Sequence, residues 1–423
     1  MKVSRNTLLA TILLLVIVIV TGWYSYVRQY QSAIKVGVMH SKTGVMAFSE
    51  LGMIDAVQFA IDEINAGGGL LGRQVETVVV DGKSSPDVFA QAAETLIDEH
   101  KVDVVFGCWT SSCRKSVLPV FEARNHLLYY PMQYEGMEYS DNIIYLGAVP
   151  NQQMIPALEW SFSMFGKQVY LVGSEYVFPR AANEVIKDQI YEWRGDVVGE
   201  AYVHLDDNQF DSVVSDIKRA KPDVIFNTLN GEGNVAFFRA LRAAGISPRD
   251  IPTMSFSITE AELARFKGID MKGDYLVWNY LQDLDNEENQ VFLQAFRSRF
   301  GADRIVGASM LMAYMGVKLW AKAVERAGTS DVEAVRGAAT GISIHSPGGM
   351  FYVEDKTHHT WRTMHIGRIN DKFRLQSVWY SKVPIAPKPY PDTRSVEQWS
   401  DFLNQLQTMW GGRWAPQDAS AHQ

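Results

Sequence analysis

VDVVFGCWTSSCRKSVLPVFEARNHLLYYPMQYEG, residues Val102 to Gly136, is the stretch whose reading decides the fold. A short apolar strand, Val104-Val105-Phe106, meets a sharp turn at Gly107, and a helix follows whose N-cap is Thr110 or Ser111. The first N–H groups of a helix have no acceptor within it, so hydroxyls at such a junction cap the helix or help to hold an acceptor atom. The helix runs through Arg114, Val117, Leu118 and Phe121. A second buried strand, Leu127 to Tyr130, then brings Pro131-Met132-Gln133-Tyr134-Glu135 to the same sheet edge. Open α/β sheets hold small molecules outside the carboxyl ends of their strands, so Trp109–Ser111 and Gln133–Glu135 form a candidate binding rim.

Outward from this stretch the same alternation continues. Ile34 to Met39 reads as a strand, Met53, Val57, Ala60, Ile61 and Ile64 share one helical face, and Gly67-Gly68-Gly69 ends that helix. A strand from Val75 to Val80 and a helix through Phe89, Ala92, Ala93, Leu96 and Ile97 lead into Val104. Strand and helix in alternation with short loops predict a parallel sheet covered on both faces. After Gly166 the pattern restarts: strand Gln168–Val172, helix Ala181–Trp193, strand Asp196–His204, helix Phe210–Ala220, and strand Val224–Asn227 ending at Leu229-Asn230-Gly231-Glu232. Strands Pro252–Phe256 and Tyr275–Tyr280 and helices Glu287–Phe300 and Val306–Ala327 follow, and then sheet elements at Met350–Val353, Thr360–Ile369 and Phe373–Trp379. A chain of 423 residues carrying this pattern twice is two domains.

The ends read differently. Lys2 and Arg5 precede an apolar run from Leu8 to Val20, the pattern of an export segment. Val20-Thr21-Gly22 offers a cleavage site; alternatively, residues 7–27 are long enough to stay as an anchor with Trp23, Tyr24 and Tyr26 in the interface. At the other end PIAPKPYPDT, from Pro384, carries four prolines and cannot hold regular structure. Beyond it Trp399, Phe402, Leu403, Leu406 and Trp410 form the apolar stripe of a helix, Val396 to Met409, that packs back on the body, and Ser420 to Gln423 read as frayed.

Composition narrows the chemistry. The net charge is −8, and loss of residues 1–33 would remove Lys2, Arg5 and Arg28 and no acid, giving −11. An acidic chain without a basic run argues against nucleic acid. HExxH, GxSxG, CxxC and GxxxxGK[ST] are all missing from the sequence, so neither a metal, a cofactor nor an enzyme activity is expected. Cys108 and Cys113 lie five apart across the strand-to-helix turn; a disulfide and a buried thiol both remain open. His358-His359, in a hairpin beside Thr360 and Trp361, reads as a surface or turn pair.

FGCWTSSCRKSVLPVFE, YYPMQYEG, GAVPNQQ (Gly147 to Gln153), LVGSEYVFPR (Leu171 to Arg180) and FNTLNGEGNVAFF (Phe226 to Phe238) carry a resemblance. Together, and in this order over residues 34 to 390, they resemble the urea- and short-chain-amide-binding branch of the periplasmic binding proteins. The resemblance implies the type I fold: two Rossmann-like lobes, 34–150 plus 283–345 and 151–282 plus 346–383, after the 1–33 export or anchor segment and before a 384–423 tail. Three crossings near Gly147–Gln153, Asn279–Leu284 and Ile342–Gly349 would make the hinge.

It also implies a site collected from loop ends of both lobes. Lobe one offers Trp109, Thr110, Ser111, Gln133, Tyr134 and Glu135, with His40-Ser41 nearby; lobe two offers Tyr176, Phe178, Asn230, Glu232 and Ser257. Ser111 aligns with a ligand-contacting serine of relatives that bind branched amino acids. Hydroxyls and helix-start N–H groups suit a carbonyl, the carboxylates and side-chain amide oxygens suit N–H donors, and the aromatic walls suit a flat solute. The expected ligand is urea, acetamide or formamide, and the expected partner an ABC permease; the other reading is a tethered periplasmic sensor acting on a membrane kinase. Each residue also has a structural role open to it: Ser111 as a cap, Trp109 and Phe178 as packing, Glu135 and Glu232 as solvated acids or partners of Arg114 or Arg180, and His40 as structural.

Overall fold

The computed structural model describes residues 5–29 and 32–417. Lys2 of the export pattern and residues 420–423, expected to fray, lie outside the described residues. Helix α1, Arg5–Gln29, exposes Ile12 to Val20 and Trp23. Among the described residues no helix is long and apolar enough to cross a membrane, so anchoring through residues 7–27 gains no support.

The first sheet is built from β1 (Ile34–His40), β2 (Val75–Asp81), β3 (Val104–Gly107), β4 (Leu128–Tyr130) and β5 (Ile143–Tyr145). Between these strands run α2 (Ala47–Ala66), α3 (Pro86–Glu94) and α4 (Ser111–Ala123). All five strands are parallel, in the order β2-β1-β3-β4-β5. The near-continuous burial of β1, β3, β4 and β5 is what a parallel sheet covered on both faces requires.

The second unit repeats the permutation. Helix α5 (Met154–Met164) leads into β6 (Gln168–Ser174), α6 (Val177–Glu192), β7 (Asp196–Val203), α7 (Asp211–Ala220), β8 (Val224–Thr228), α8 (Gly233–Ala243), β9 (Thr253–Ser255) and β10 (Tyr275–Trp278). Its parallel strands lie in the order β7-β6-β8-β9-β10. Helices α9 (Glu287–Phe300), α10 (Ala308–Ala327) and α11 (Val332–Ala339) come next. Of these, α9 and α10 return to the first sheet, where Phe59 of α2 meets the rings of Phe292, Phe296, Phe300 and Tyr314.

One expectation changes. Met350–Val353 and Thr360–Trp361 do not join the second sheet: β12 (Gly349–Val353) and β13 (Thr360–Trp361) pair with β11 (Ser343–Ser346) in a separate three-stranded antiparallel sheet. Only β14 (His365–Ile369) and β15 (Leu375–Tyr380) extend the seven-stranded sheet, antiparallel beyond β10. Alternation along the chain sets which face a strand buries but leaves its partner open.

In each unit the strand order reverses at one place, between β1 and β3 and between β6 and β8. A crevice opens there because the two loops leave in opposite directions, and it is where such sheets bind ligands. The loops at these two places are His40-Ser41 with Cys108–Ser111, and Glu175–Phe178 with Leu229–Gly231.

At the first of them, Cys108 takes a left-handed φ of +66° and is disulfide-bonded to Cys113, their Cα atoms 5.8 Å apart. The bridge ties the end of β3 to the first turn of α4. Replacing both cysteines by alanine is expected to cost about 2 kcal/mol, the chain-entropy value for so short a loop. Thermal unfolding measures it, and an unchanged midpoint would show that the turn holds itself.

Candidate functional site

Thr110 is the N-cap of α4: its Oγ1 accepts from the Cys113 N–H at 3.2 Å. Ser111 is therefore free of that duty. Its hydroxyl donates to Glu135 Oε2 at 2.5 Å and accepts from Arg114 Nη1 at 3.0 Å. Arg114, one turn further along α4, is fully buried and also donates to Glu135 Oε1 at 2.9 Å and Glu138 Oε1 at 2.7 Å. Lys115 Nζ and Tyr145 Oη complete Glu138 at 2.9 and 3.0 Å. Two cations and two carboxylates thus form one charge-balanced buried cluster. Burial opposes ionisation of Glu138, but Arg114 and Lys115 outweigh it and hold its pKa below the usual carboxylate range.

Tyr134 links this cluster to His359. The Arg114 guanidinium lies 4.2 Å from the Tyr134 ring centre, and the Tyr134 hydroxyl is 2.5 Å from His359 Nε2. His359 Nδ1 sits 2.6 Å from the Thr357 carbonyl, which can only accept, so Nδ1 carries the proton and Nε2 accepts from Tyr134. The imidazole also stacks on Tyr145 at 4.2 Å, and burial lowers its pKa to about 3. The expected surface role of His358-His359 is thereby corrected: His358 is 7% exposed and His359 0%. The Tyr145 N–H donates to the His358 carbonyl at 2.9 Å, which seats this hairpin on β5 and closes over the imidazole.

Opposite this rim stand the loops of the second unit, and the two are in contact. Trp109 Nε1 donates to Asn230 Oδ1 at 3.2 Å. Gln133 Nε2 donates to the Phe256 carbonyl at 2.9 Å and lies 3.4 Å from Ser257 Oγ. Tyr176 and Phe178, at the start of α6, are buried, and burial pushes the Tyr176 phenol well above its ordinary pKa, with Tyr130 and Glu135 adding to it. Trp109, Thr110, Ser111, Gln133, Tyr134, Glu135, Tyr176, Phe178, Asn230 and Ser257 are therefore brought together, all buried.

Glu232 is not among them. Its carboxylate is 59% exposed and pairs with Arg265 at 2.5 Å. Gly231, at φ +67°, packs against Val45 and Met46 across the lobes, and the turn it makes sends Glu232 outward at the start of α8. His40 and Ser41 are structural, since Glu50 Oε2 holds the imidazole at 2.9 Å and the Ser41 N–H at 3.0 Å. Glu138, His359 and Gln153 were not singled out from sequence as site residues, and Arg114 was named only as a possible partner of Glu135 or Glu232, a pairing it makes with Glu135. Arg114 was accessible in principle, because it lies three residues after Ser111 and so on the same helical face.

The cleft keeps acceptors in reserve. Gln133 Oε1 and Gln153 Oε1 are buried without a hydrogen-bond partner, while the Nε2 atoms of both donate to the Phe256 carbonyl. That carbonyl fixes which way each amide faces. The Ser111 proton is committed to Glu135, so toward a solute the Ser111 oxygen can only accept.

A further contact between the lobes carries a pH dependence. Ser49 Oγ of α2 donates to Glu262 Oε1 at 2.6 Å, and burial raises the Glu262 pKa from 4.5 to about 7. The folded state holds this proton after the unfolded chain has released it. The contribution of Glu262 to stability is therefore greatest below pH ~4.5 and falls as the pH rises toward ~7, by about 3 kcal/mol. Glu262→Gln is expected to remove that fall, so melting curves at pH 4.5 and 8 should separate wild type from variant only at the higher pH.

Two α/β units of one topology, facing each other across their switch points and joined by several crossings, define a two-lobed solute-binding protein. The periplasmic binding protein domain matches residues 34–396, and the chain belongs to that family. As a member of that family it is a periplasmic binding protein and not an enzyme, and a periplasmic location follows from the family. Its fold is shared with a solute-binding protein of an ABC transporter from Rhodopseudomonas palustris HaA2, solved with p-hydroxybenzoic acid: 22% identity, TM-score 0.76, 84% of this chain and 98% of the other. A branched-chain amino acid transporter substrate-binding protein from Streptococcus pneumoniae, solved with isoleucine, is 18% identical with TM-score 0.74, covering 84% of this chain and all 100% of that one. A limonene hydroxylase of Geobacillus stearothermophilus is 30% identical over 117 residues, 28% of this chain, and the match spans only 21% of that protein's length.

Proposed function

We propose that this protein captures urea, or a short-chain amide such as acetamide or formamide, between lobes 34–150 plus 283–345 and 151–282 plus 346–383 and delivers it to an ABC permease. The observation that carries the reading is the set of spare acceptors in a cleft whose buried Arg114 guanidinium is already paired with two carboxylates. Gln133 Oε1 and Gln153 Oε1 have no donor, while the Ser111 oxygen and the Glu135 carboxylate, each already accepting from Arg114, keep lone pairs for further N–H donors. A carboxylate ligand would need a free cation, and Arg114 already serves Glu135 and Glu138. Urea or a small amide supplies N–H donors without net charge, and its carbonyl can take the free N–H groups at the start of α4. Bonds that each lobe makes to the same solute favour the closed state, which is the form that docks on the permease.

Isothermal titration of the purified protein with urea, acetamide, formamide, leucine and 4-hydroxybenzoate tests the reading. Binding confined to the three neutral solutes is the expected result. Binding of leucine or 4-hydroxybenzoate in preference to them would overturn it.

A further inference from the structure

The family match ends at residue 396, and the helix and tail that follow lie outside that domain. Helix α12 (Val396–Met409) is seated on the second lobe: Trp399, Leu403, Leu406 and Trp410 are buried, and Arg394 beside it pairs with Glu184 and Asp188 of α6 at 2.5 and 2.6 Å. At Gly411 and Gly412 the chain reverses through left-handed φ angles of +63° and +86°. Trp414 then returns to the mouth of the cleft. Its carbonyl accepts from the Val177 N–H at the start of α6 at 3.0 Å, a contact within the second lobe. Its ring receives Lys115 Nζ of α4 at 4.5 Å, and Arg413 Nη1 lies 3.2 Å from Asp87 Oδ2 of α3, both contacts with the first lobe.

Beside these residues is a groove of about 690 Å³ whose walls include Thr110, Ser112, Tyr176 and Trp414. Thr110 and Tyr176 belong to the two facing rims, so the tail stands at the side of the cleft, between the lobes. We propose that residues 410–417 are a third wall of the solute site: a latch fixed to the second lobe that grips the first through Trp414 and seals the side of the closed cleft. The sealing role rests on the reading of the cleft as the solute site; the latch between lobes does not.

Magnitudes single out Trp414. The Arg413–Asp87 pair is about half exposed on one side and two-thirds on the other, and such pairs contribute little. Lys115 is only 8% exposed and is held in place by Glu138, so its contact with the Trp414 ring is desolvated and pre-positioned. A desolvated cation–π contact made in the closed form alone shifts the open–closed ratio by about tenfold.

The test is made on the full chain with spin labels at Glu99 in the first lobe and Glu192 in the second, both exposed. Interlobe distances are measured without solute in wild type, Trp414→Ala and Trp414→Phe, after melting curves have confirmed that each is folded. The expected result is an open-to-closed ratio about tenfold higher in Trp414→Ala, with Trp414→Phe between the two. Urea release by stopped flow should quicken by a similar factor in Trp414→Ala. Distance distributions identical in all three proteins would overturn the latch. A shift in distances in a protein that fails to bind urea would leave the latch standing and reject the ligand reading alone.

Discussion

Arg114→Met is expected to lower the unfolding free energy by about 3–5 kcal/mol, the cost of leaving buried charge without its partner. Arg114 is fully buried and bonds to Ser111, Glu135 and Glu138, joining the Ser111–Glu135 pair to Glu138. Lys115 still answers Glu138 in the variant, so the uncompensated charge falls on Glu135. Guanidinium unfolding is the measurement of choice, since urea would act as denaturant and proposed ligand at once. Adding Glu135→Gln to Arg114→Met should restore part of the loss, because it removes the carboxylate that was stranded. A loss below about 1 kcal/mol for Arg114→Met would mean that water or another group compensates Glu135, and the charge-balanced cluster would have to be abandoned.

Glu135→Gln alone is expected to weaken urea binding by about 10–100-fold, the value of one hydrogen bond to a charged group. The ligand has few atoms with which to make up the deficit. Four heavy atoms at no more than about 1.5 kcal/mol each set a ceiling near 6 kcal/mol, or a Kd of about 40 µM. One lost bond moves binding toward the millimolar range. Ser111→Ala should cost less, because its oxygen is a neutral acceptor, but it also frees Glu135 to turn, so a loss of about tenfold is expected. Calorimetric titration with urea, on variants whose melting curves match wild type, separates loss of contact from loss of fold. Affinity unchanged in both variants would remove Glu135 and Ser111 from the site.

The first thing legible in the sequence was local. The alternation of strand and helix, the restart near Gln168 and the apolar stripe of α12 are written in spacings of two to four residues, and the structure carries each of them. The loops that end β3, β4, β6 and β8 could be named for the same reason, since a strand's end is fixed by the residues next to it. These loops supplied every buried site residue named from sequence except Ser257, which follows β9.

What needed the tertiary structure was the direction of each side chain once distant segments had met. Glu232 and Glu135 are both acids in loops at a sheet edge; packing of Gly231 on Val45 turns one to solvent, and Arg114 draws the other inside. His359 reads as part of a surface hairpin until the seam with Tyr145 closes over it. The Cys108–Cys113 bridge, left open by a spacing of five, depended on the left-handed turn at Cys108. Strand partners were open for the same reason, as β12 and β13 show by pairing with β11. The sequence by itself therefore determined the two α/β units and the loops that could bear a site, because hydrophobic periodicity and turn chemistry act between near neighbours. The tertiary structure decided which of those loop residues share the buried cleft, because burial, charge pairing and hydrogen bonding act between residues more than two hundred positions apart, as between Tyr134 and His359.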